Sequence, residues 1–511
     1  MEAARRLVKN TGILYAKMAI TLFTSLYSTR LILAALGIED FGLFNVVGGL
    51  ISMLGFLNAS MTAATQRFMS YERGTGDIYK VKKIFNMSTL MHLCIALVLV
   101  LVFEIAGYFF FNGILNIGHN RLLAAKTIYQ FMVVSTFFTI VSVPYEAVIT
   151  SHENMFFYAI EGIVEALFKL AIAFYITYNS HDRLISYGFL IAGLSIFLMI
   201  SRRIYCHWKY EECQINIRTF FDIKLLKEMS SFAGWTFLGS FTSIITNYGQ
   251  GILLNSFFGT IVNAAQGVSN QISGQLEAFS ANMSKAANPI IIKSEGEKNR
   301  EKMLAISLTT NKISFILFAI LALPFIAEID YIFSIWLKEI PKYAVIFTTL
   351  LLLRRLISQL SNTLLVSIDA SGKIKGRQIA GAILNVFPLI ISYFLFKIGF
   401  SPIYLYIVFI GTELIRSFGH TLFFAKKHCD LDIVNFFKES VIPCVIVSFA
   451  SFLLGLIPFY SMDSSLIRLI SVIMVISLSF LLLSYSIILN QSEKDITKRL
   501  LMNVNFFKVN K

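Results

Sequence analysis

Positive side chains lie inside apolar stretches of this sequence, where a charge is costly unless it meets a ligand, a partner or water. Residues 15–36, YAKMAITLFTSLYSTRLILAAL, are long enough to cross a bilayer, yet they contain Lys17 and Arg30. Lysine and arginine in such surroundings bind anions, and the arginine fork matches the oxygens of phosphate. A site for an anionic group is therefore predicted. Its candidate ligands in the sequence are the cations Lys17, Arg30, Arg67, Lys169, Lys285, Arg354, Arg355 and Arg416, together with Asn270.

The first apolar stretch is polar on one side if it is a helix. At about 100° per residue, its cations fall in the same half as Thr21, Thr24 and Tyr27. Two explanations fit this pattern: the cations line a polar space, or their long stems carry them to the nearer membrane surface. Arg354 and Arg355 lie near the middle of their predicted span, where reaching the surface is hardest, and they favour a polar space.

A second polar face marks the eighth predicted span. Its members recur at intervals of three and four residues, which places them on one side of a helix. Unsatisfied polar groups in hydrocarbon cost several kcal/mol each, so this face is predicted to meet a cavity. Hydrogen bonding between packed helices is the alternative, and it is favoured for isolated Ser, Thr and Asn. The face consists of Asn263, Gln266, Asn270, Ser273, Glu277, Ser280 and Ser284.

Acidic residues in the spans are few and have cations near them in sequence. Glu165 precedes Lys169 by one helical turn, and Glu413 precedes Arg416 by three residues, which predicts ion pairs. An intramembrane carboxylate is also a candidate for exchanging a proton or binding sodium. Glu165, Glu277 and Glu413 are therefore the candidates for ion coupling to Na+ or H+.

Composition indicates an integral membrane protein. Of 511 residues, 56% are hydrophobic and only 14% are charged, and the mean hydropathy is +0.70. The net charge of +14 does not indicate nucleic-acid binding, because the cations form short patches between apolar runs. The five cysteines have no metal-ligand spacing, so no metal site, disulfide framework or cofactor is predicted.

The apolar runs predict an all-α polytopic membrane protein with about fourteen transmembrane helices. Outside these spans, about 29 Lys and Arg lie on the side of the N-terminus and about 6 on the other side. Both termini are therefore expected in the cytoplasm, with the first helix retained and not removed as a signal peptide. The predicted spans are residues 10–36, 41–69, 83–111, 122–150, 155–178, 184–204, 229–258, 261–288, 303–327, 343–368, 375–397, 402–425, 438–460 and 465–489.

The sequence also contains a weak internal repeat. A shift of 222 residues places residues 34–53 on residues 256–275 and aligns Gly37 with Gly259, and a shift of 219 places residues 149–155 on 368–374. Both copies start on the same side, so the repeat is parallel. The predicted organisation has two pseudo-symmetric six-helix lobes plus two extra C-terminal helices. Its segments are a first lobe at 1–204, a cytoplasmic linker at 205–228, a second lobe at 229–430, two added transmembrane helices at 431–490 and a cytoplasmic tail at 491–511.

A cation-rich space lined by hydroxyls and amides between apolar lobes suits a lipid with an anionic, sugar-bearing head group. Glycines and a lysine occur together in residues 369–377, DASGKIKGR, but they do not form the GxxxxGK[ST] phosphate loop. Transport would therefore draw on an ion gradient, the membrane potential or the gradient of the substrate. A non-enzymatic transporter is the prediction.

Residues 36–77, LGIEDFGLFNVVGGLISMLGFLNASMTAATQRFMSYERGTGD, resemble the Wzx-type O-antigen flippases of the multidrug/oligosaccharidyl-lipid/polysaccharide exporter superfamily. The matching features are LG, DFG, an arginine near the end of the second span, here Arg67, and an E-x-G-x-GD loop. Over the rest of the chain the likeness is one of span order. The resemblance implies that undecaprenyl-diphosphate-linked oligosaccharide is moved by alternating access across the bacterial inner membrane, with other polysaccharide assembly proteins as partners. Arg30 is similar in kind to cavity arginines of relatives that flip a peptidoglycan precursor.

Two alternative functions are a cation antiporter and a membrane polymerase or ligase of polysaccharides. A multidrug and toxin extrusion (MATE) antiporter exports cations and would carry unpaired carboxylates in its first and seventh helices, whereas here the first span has Lys17 and Arg30 and the seventh has no acidic residue. An integral membrane polysaccharide polymerase or ligase usually needs a large outward loop. The longest outward loop predicted here, residues 328–342, is short for that role.

Overall fold

The computed structural model describes residues 2–53, 55–114, 119–179, 182–337, 339–491 and 493–494. Within these ranges the chain is helical and contains no strand, so the protein is all-α. Among the same residues, ten helices are long and apolar enough to cross a membrane. The chain is therefore a multi-pass membrane protein. Most of the predicted tail, residues 495–511, lies outside the described residues.

The first half of the chain contains long helices with short connections. Aspartate or asparagine caps begin several of them, as at Asp77, Asn154 and Asp182, where a side-chain oxygen accepts a backbone N–H of the first turn. The helices are α1 (Glu2–Met53), α2 (Gly55–Thr75), α3 (Ile78–Phe109), α4 (Leu122–Val141), α5 (Val143–Ser151), α6 (Met155–Tyr178), α7 (Arg183–Lys209), α8 (Ile217–Phe220) and α9 (Ile223–Phe258).

The second half follows the same plan and adds a terminal pair. Segments of π-helix, called wide-turn segments below, continue α3, α16, α18 and α20 at Phe110–Ile114, Ile415–Thr421, Phe437–Val441 and Ser484–Ile488. A short 3-10 turn, His119–Arg121, precedes α4. The helices are α10 (Thr260–Gly296), α11 (Arg300–Ala327), α12 (Ile329–Trp336), α13 (Ala344–Gln359), α14 (Asn362–Ala370), α15 (Lys375–Lys397), α16 (Ile403–Leu414), α17 (Leu422–Cys429), α18 (Ile433–Phe436), α19 (Ile442–Ser461) and α20 (Leu466–Leu483).

Each of the fourteen predicted spans falls on helix in the described residues. Four of them, 41–69, 155–178, 229–258 and 261–288, are not among these ten helices. Two predicted connections are more helical than expected. The region 205–228 contains the end of α7, all of α8 and the start of α9, and α12 occupies most of the predicted outward loop.

Two compact units make up the chain. The first unit is Lys9–Ser240, and the second comprises the described residues from Phe241 onward together with the turns before Lys9. The predicted lobe and linker boundaries remain a prediction. In the first unit, α4 and α7 pack closely around Ile128 and Tyr129, and the Tyr129 hydroxyl donates to the Phe103 carbonyl at 2.5 Å. This bond satisfies the polar end of a buried ring.

The second unit has its own apolar core and holds the terminal helix pair. Phe347 of α13 stacks on Tyr406 of α16 with ring centroids 4.3 Å apart. Helices α19 and α20 pack on α11. A buried pair joins Arg468 of α20 to Glu328, with Nε–Oε1 and Nη2–Oε2 distances of 2.9 and 2.8 Å. The two extra helices are thus fastened by charge as well as by apolar contact.

Backbone geometry repeats at the offsets seen in the sequence. Gly37 has φ 75° and ψ 173°, and Gly259 has φ 81° and ψ −173°. At the same offset, Asp77 caps α3 by accepting the N–H of residue 80, and Asn299 caps α11 by accepting the N–H of residue 302, both at 3.0 Å. These matches support the duplication, because the Gly37 conformation is almost restricted to glycine.

The fourth span of each half is also broken at matching places. Helix α4 gives way to α5 at Ser142, and α13 gives way to α14 near Ser361, which is 219 positions later. The turn that follows contains Glu153 with φ 57° in the first half and Gly372 with φ 77° in the second, again 219 positions apart. The repeat therefore includes interruptions that span counting cannot detect.

Next to Gly37, where α1 is kinked, one arginine holds two aspartates of the first unit. Arg121 binds Asp40, and its Nη1 lies 2.6 Å from Oδ2 of Asp182. Burial opposes the charged form of Asp182, but the Arg121 hydrogen bond and the N–H groups of Ile185 and Leu184 hold its pKa below the ordinary value of 3.8. This cluster ties the connections before α4 and α7 to α1.

Candidate functional site: a cationic pocket in the second unit

Four helices of the second unit and one wide-turn segment surround a small pocket that contains charged residues. It brings together two of the predicted cations, Arg354 of α13 and Arg416 of the segment after α16, with Glu413. Apolar side chains complete its wall, so charge in the pocket is only partly screened by water. The lining residues are Thr246, Arg354, Leu384, Asn385, Pro388, Phe409, Thr412, Glu413 and Arg416.

Glu413 is shared by both arginines. Its Oε2 lies 3.3 Å from Arg354 Nε and 2.6 Å from Arg416 Nη2, and its Oε1 lies 2.7 Å from Arg416 Nη2. Ser417 Oγ also donates to Oε1 at 3.3 Å. The carboxylate is only 3% exposed. Its oxygens are thus occupied by donors, while two arginines against one carboxylate leave a formal excess of one positive charge.

The two cations are held in place by different means. The guanidinium carbon of Arg354 lies 4.8 Å from the centre of the Phe409 ring, which makes a cation–π contact. Phe409 lies one turn before Glu413 on α16. Arg416 stands on the wide-turn segment Ile415–Thr421, three residues after Glu413. The local sequence therefore fixes the Glu413–Arg416 pair that was predicted, and tertiary packing adds Arg354 to it.

The pocket also contains neutral hydrogen-bonding groups. Asn385 Nδ2 donates to the hydroxyls of Thr242 and Ser243, each at 3.2 Å, and Thr246 Oγ1 donates to the Asn385 carbonyl at 2.8 Å. These bonds join α15 to α9 beside Pro388, which lies inside α15. Neither Asn385 nor Thr246 was predicted as a site residue. A lone asparagine three residues before a proline in an apolar span was the signal that could have identified Asn385.

Arg355 points to a different partner from its neighbour. Its Nη1 lies 3.1 Å from Oε1 of Glu277 on α10, and both side chains are about one-third exposed. This pair is formally neutral. Adjacent arginines on α13 therefore have separate environments, because successive residues on a helix point about 100° apart.

The polar face of α10 divides between packing and exposure. Ser273 and Ser280 are buried, and Ser280 accepts a hydrogen bond from Gln359 of α13 at 2.8 Å. Asn270 is exposed and Glu277 is half-buried. Part of this face thus joins helices, which was the alternative considered for it, and part is open. Lys285, further along α10, is half-buried.

In the first unit the predicted cations occupy unlike settings. Arg67 is buried with its guanidinium carbon 4.7 Å from the ring centre of Phe68, and Arg30 is exposed. Lys169 pairs with Glu165 at 2.6 Å on an exposed side of α6, as predicted for that spacing. Their assembly with the pocket of the second unit into one substrate site remains a prediction.

Lys17 is half-buried, and its Nζ lies 3.9 Å from the centre of the Tyr158 ring of α6. This contact places the first predicted cation on the surface of another helix of the same unit. Aromatic faces attract ammonium groups without neutralising them.

A buried ion cluster of the first unit was not predicted. Arg202, near the end of α7, lies 2.5 Å from Glu161 and 3.7 Å from Glu146, and its Nη1 donates to Ser142 Oγ at 3.0 Å. These contacts join three helices where α4 is interrupted. Arg202 lies near the end of its predicted span, and its position in the sequence groups it with the basic connection that follows.

Comparison with known proteins identifies the fold. The chain resembles a structure of a MATE point mutant with 12% identity and a TM-score of 0.73, covering 85% of this chain and 97% of that one. It also resembles an outward-facing multidrug resistance MATE family transporter of the MOP superfamily, with 12% identity, a TM-score of 0.69 and coverage of 85% and 96%. No family model and no curated protein matches the sequence.

A third similar structure is a MOP superfamily transporter from Pyrococcus furiosus, described as having a binding pocket of reverse polarity that suggests a different function. Identity is 13%, the TM-score is 0.69, and the match covers 85% of this chain and 96% of that one. The protein thus has the MATE-type transporter fold. Two of these neighbours are described as transporters.

Proposed function

We propose that this protein is a flippase that moves a lipid with an anionic diphosphate and sugar head group across the membrane by alternating access. The observation that carries the proposal is the sharing of Glu413 by Arg354 and Arg416. One carboxylate cannot neutralise two guanidinium groups, so the pocket has the charge needed to attract an anion. Arginine donors also match phosphate oxygens in geometry.

The neutral groups of the pocket fit the rest of such a head group. Asn385, Thr246 and Thr412 lie beside the cations. Their N–H and O–H groups donate within the protein, so their side-chain oxygens are left to accept hydrogen bonds from sugar hydroxyls. The lipid tail would remain in the bilayer while the head group crosses. Lipid-linked oligosaccharide of the bacterial inner membrane is the proposed cargo, and other polysaccharide assembly proteins are its proposed partners.

Cation antiport is the second candidate, because proteins of this fold include multidrug transporters. A cation carrier needs a carboxylate that can accept its cargo. Glu413 instead accepts hydrogen bonds from Arg354, Arg416 and Ser417. The reverse-polarity pocket described for the P. furiosus transporter offers a parallel for an altered cargo on this fold. Pocket charge therefore favours the anionic lipid.

The test is flipping of a fluorescent polyprenyl-diphosphate oligosaccharide in liposomes that contain the purified chain. Arg416→Gln and Arg354→Gln each leave Glu413 with one arginine, so each variant keeps a paired carboxylate and loses the excess charge. Because a hydrogen bond to a charged group contributes about 1.5–3 kcal/mol, flipping should fall about tenfold or more in each variant.

Arg300→Gln is the matched control. Arg300 also contacts two carboxylates of the second unit, Glu295 and Asp430, but it lies outside the pocket. Its loss should leave flipping near the wild-type rate. Unchanged flipping in both pocket variants, or export of an organic cation in place of the lipid, would refute the proposed function.

A further inference from the structure

We propose that Gly162 and Tyr158 form a seat on α6 that positions the ammonium of Lys17 for the anionic head group. This inference rests on the proposed function and adds two positioning residues to it. The pair is separated by one helical turn, so both residues lie on the same face of α6. The side chain of Lys17 on α1 packs against this face.

Gly162 provides the space for the lysine. A Cβ at this position would overlap Cε and Nζ of Lys17. The obstructing atoms belong to the end of a flexible side chain and not to the backbone. Adding a methyl group should therefore displace the ammonium and leave the packing of α6 nearly unchanged.

Tyr158 provides the attraction. The Lys17 ammonium lies 3.9 Å from the ring centre, within the distance at which the face of an aromatic ring attracts a cation. A ring holds a lysine without cancelling its charge, which a carboxylate would do. The seat thus fixes the position of the cation and preserves its ability to bind an anion.

The acidic residues of α6 near the seat are engaged elsewhere. Glu161 lies 2.5 Å from Arg202, and Glu165 lies 2.6 Å from Lys169. Among the residues that the structure describes, Lys17 has no ion pair with a carboxylate. Neutralised neighbours on α6 and an aromatic seat together leave Lys17 as a charge that a phosphate group can use.

The experiment measures binding of geranyl diphosphate to the full chain in detergent by calorimetry, with geranyl alcohol as the uncharged comparison. Gly162→Ala should weaken diphosphate binding about as much as Lys17→Gln does. The double variant should lose no more than Lys17→Gln alone, because both changes remove the same contact. Gly193→Ala is the matched control, since a Cβ at this exposed glycine of α7 would meet no atom within 4 Å.

A second pair of variants tests the ring. Tyr158→Phe keeps an aromatic face and should bind like wild type, whereas Tyr158→Leu should weaken binding as Gly162→Ala does. A further readout is the rate at which Lys17 is acetylated by an amine-reactive reagent, followed by mass spectrometry. Displacement from the seat should change that rate in Gly162→Ala and not in Gly193→Ala.

The outcomes separate the two proposals. Wild-type protein that does not distinguish the diphosphate from the alcohol contradicts the proposed function and the ligand of the seat together. Wild-type binding that Lys17→Gln weakens but Gly162→Ala and Tyr158→Leu leave intact overturns the seat alone. If Gly162→Ala does not fold, the Tyr158 pair decides the question by the same criterion.

Discussion

The two units share their backbone features and differ in the charge they carry. Ser135 of α4 and Ser195 of α7 form a hydroxyl pair at 2.6 Å in the first unit. Ser135 matches Arg354 at the shift of 219, and in the second unit Arg354 forms an ion pair with Glu413 at 3.3 Å. This position of the repeat thus makes a neutral contact in one unit and a charged contact in the other.

This difference indicates that the duplicated scaffold and the site chemistry are separable. Glycine conformations, caps and helix breaks are kept between the halves because they set the paths of the helices. None of the eight predicted cations has a cation at the matching position of the other unit at either offset. The positions of the cations are therefore not repeated between the two units, although the backbone features are.

The largest expected contrast comes from removing the partner of Arg354 in the second unit and the partner of Ser135 in the first. Glu413→Gln leaves Arg354 and Arg416 without their carboxylate and should lower the free energy of unfolding by about 3–5 kcal/mol. Ser195→Ala breaks a neutral hydrogen bond and should cost about 1 kcal/mol. SDS titration in mixed micelles measures both. Similar losses in the two variants would mean that the units do not differ in this way.

A smaller effect tests what the units share. Gly37→Ala and Gly259→Ala both place a side chain in a backbone conformation that favours glycine, and each should cost about 1–3 kcal/mol. The two losses should be close to equal, since a Cβ meets no atom within 4 Å at either position.

Gly267→Ala is the control for the glycine pair. This exposed residue lies inside α10 with nothing within 4 Å of its Cβ position, so alanine should stabilise the helix by about 0.5–1 kcal/mol. A large loss at Gly259 with none at Gly37 would argue against a common backbone geometry at the two glycines.

The smallest predicted effect is a dependence on pH confined to the first unit. Because the folded state lowers the pKa of Asp182, its contribution to stability is complete above the ordinary value of 3.8 and is lost as the pH falls through the lower folded value. Asp182→Asn should therefore differ from wild type near neutral pH and approach it below about pH 3.8. A stability difference that grows on acidification would reverse the sign expected from the Arg121 contact.

Much of the fold was predictable from the sequence because its signals are local. Apolar length located the helices, and the offset between Gly37 and Gly259 identified a repeat that the backbone angles support. The i, i+3 spacing predicted the Glu413–Arg416 pair. What span counting overlooked were interruptions such as those at Ser142, where Pro144 opens the next helix, and at Ser361, where no proline or charge lies next to the break.

The site was only partly predictable, because it depends on contacts between distant residues. Nothing local indicates that Arg354 joins Glu413 while Arg355 joins Glu277. Asn385 was missed because one polar residue in an apolar span has no period to detect. The seat of Lys17 depends on Gly162, whose missing side chain matters only when another helix lies against it.

Binding of inorganic pyrophosphate to the purified full chain, measured by calorimetry, tests the excess positive charge of the second unit most directly. The pocket geometry predicts that Arg354→Gln and Arg416→Gln each weaken binding about tenfold or more, while Arg300→Gln leaves it unchanged. Wild-type affinity in both pocket variants, or equal weakening by the Arg300 control, would contradict an anion site at Glu413.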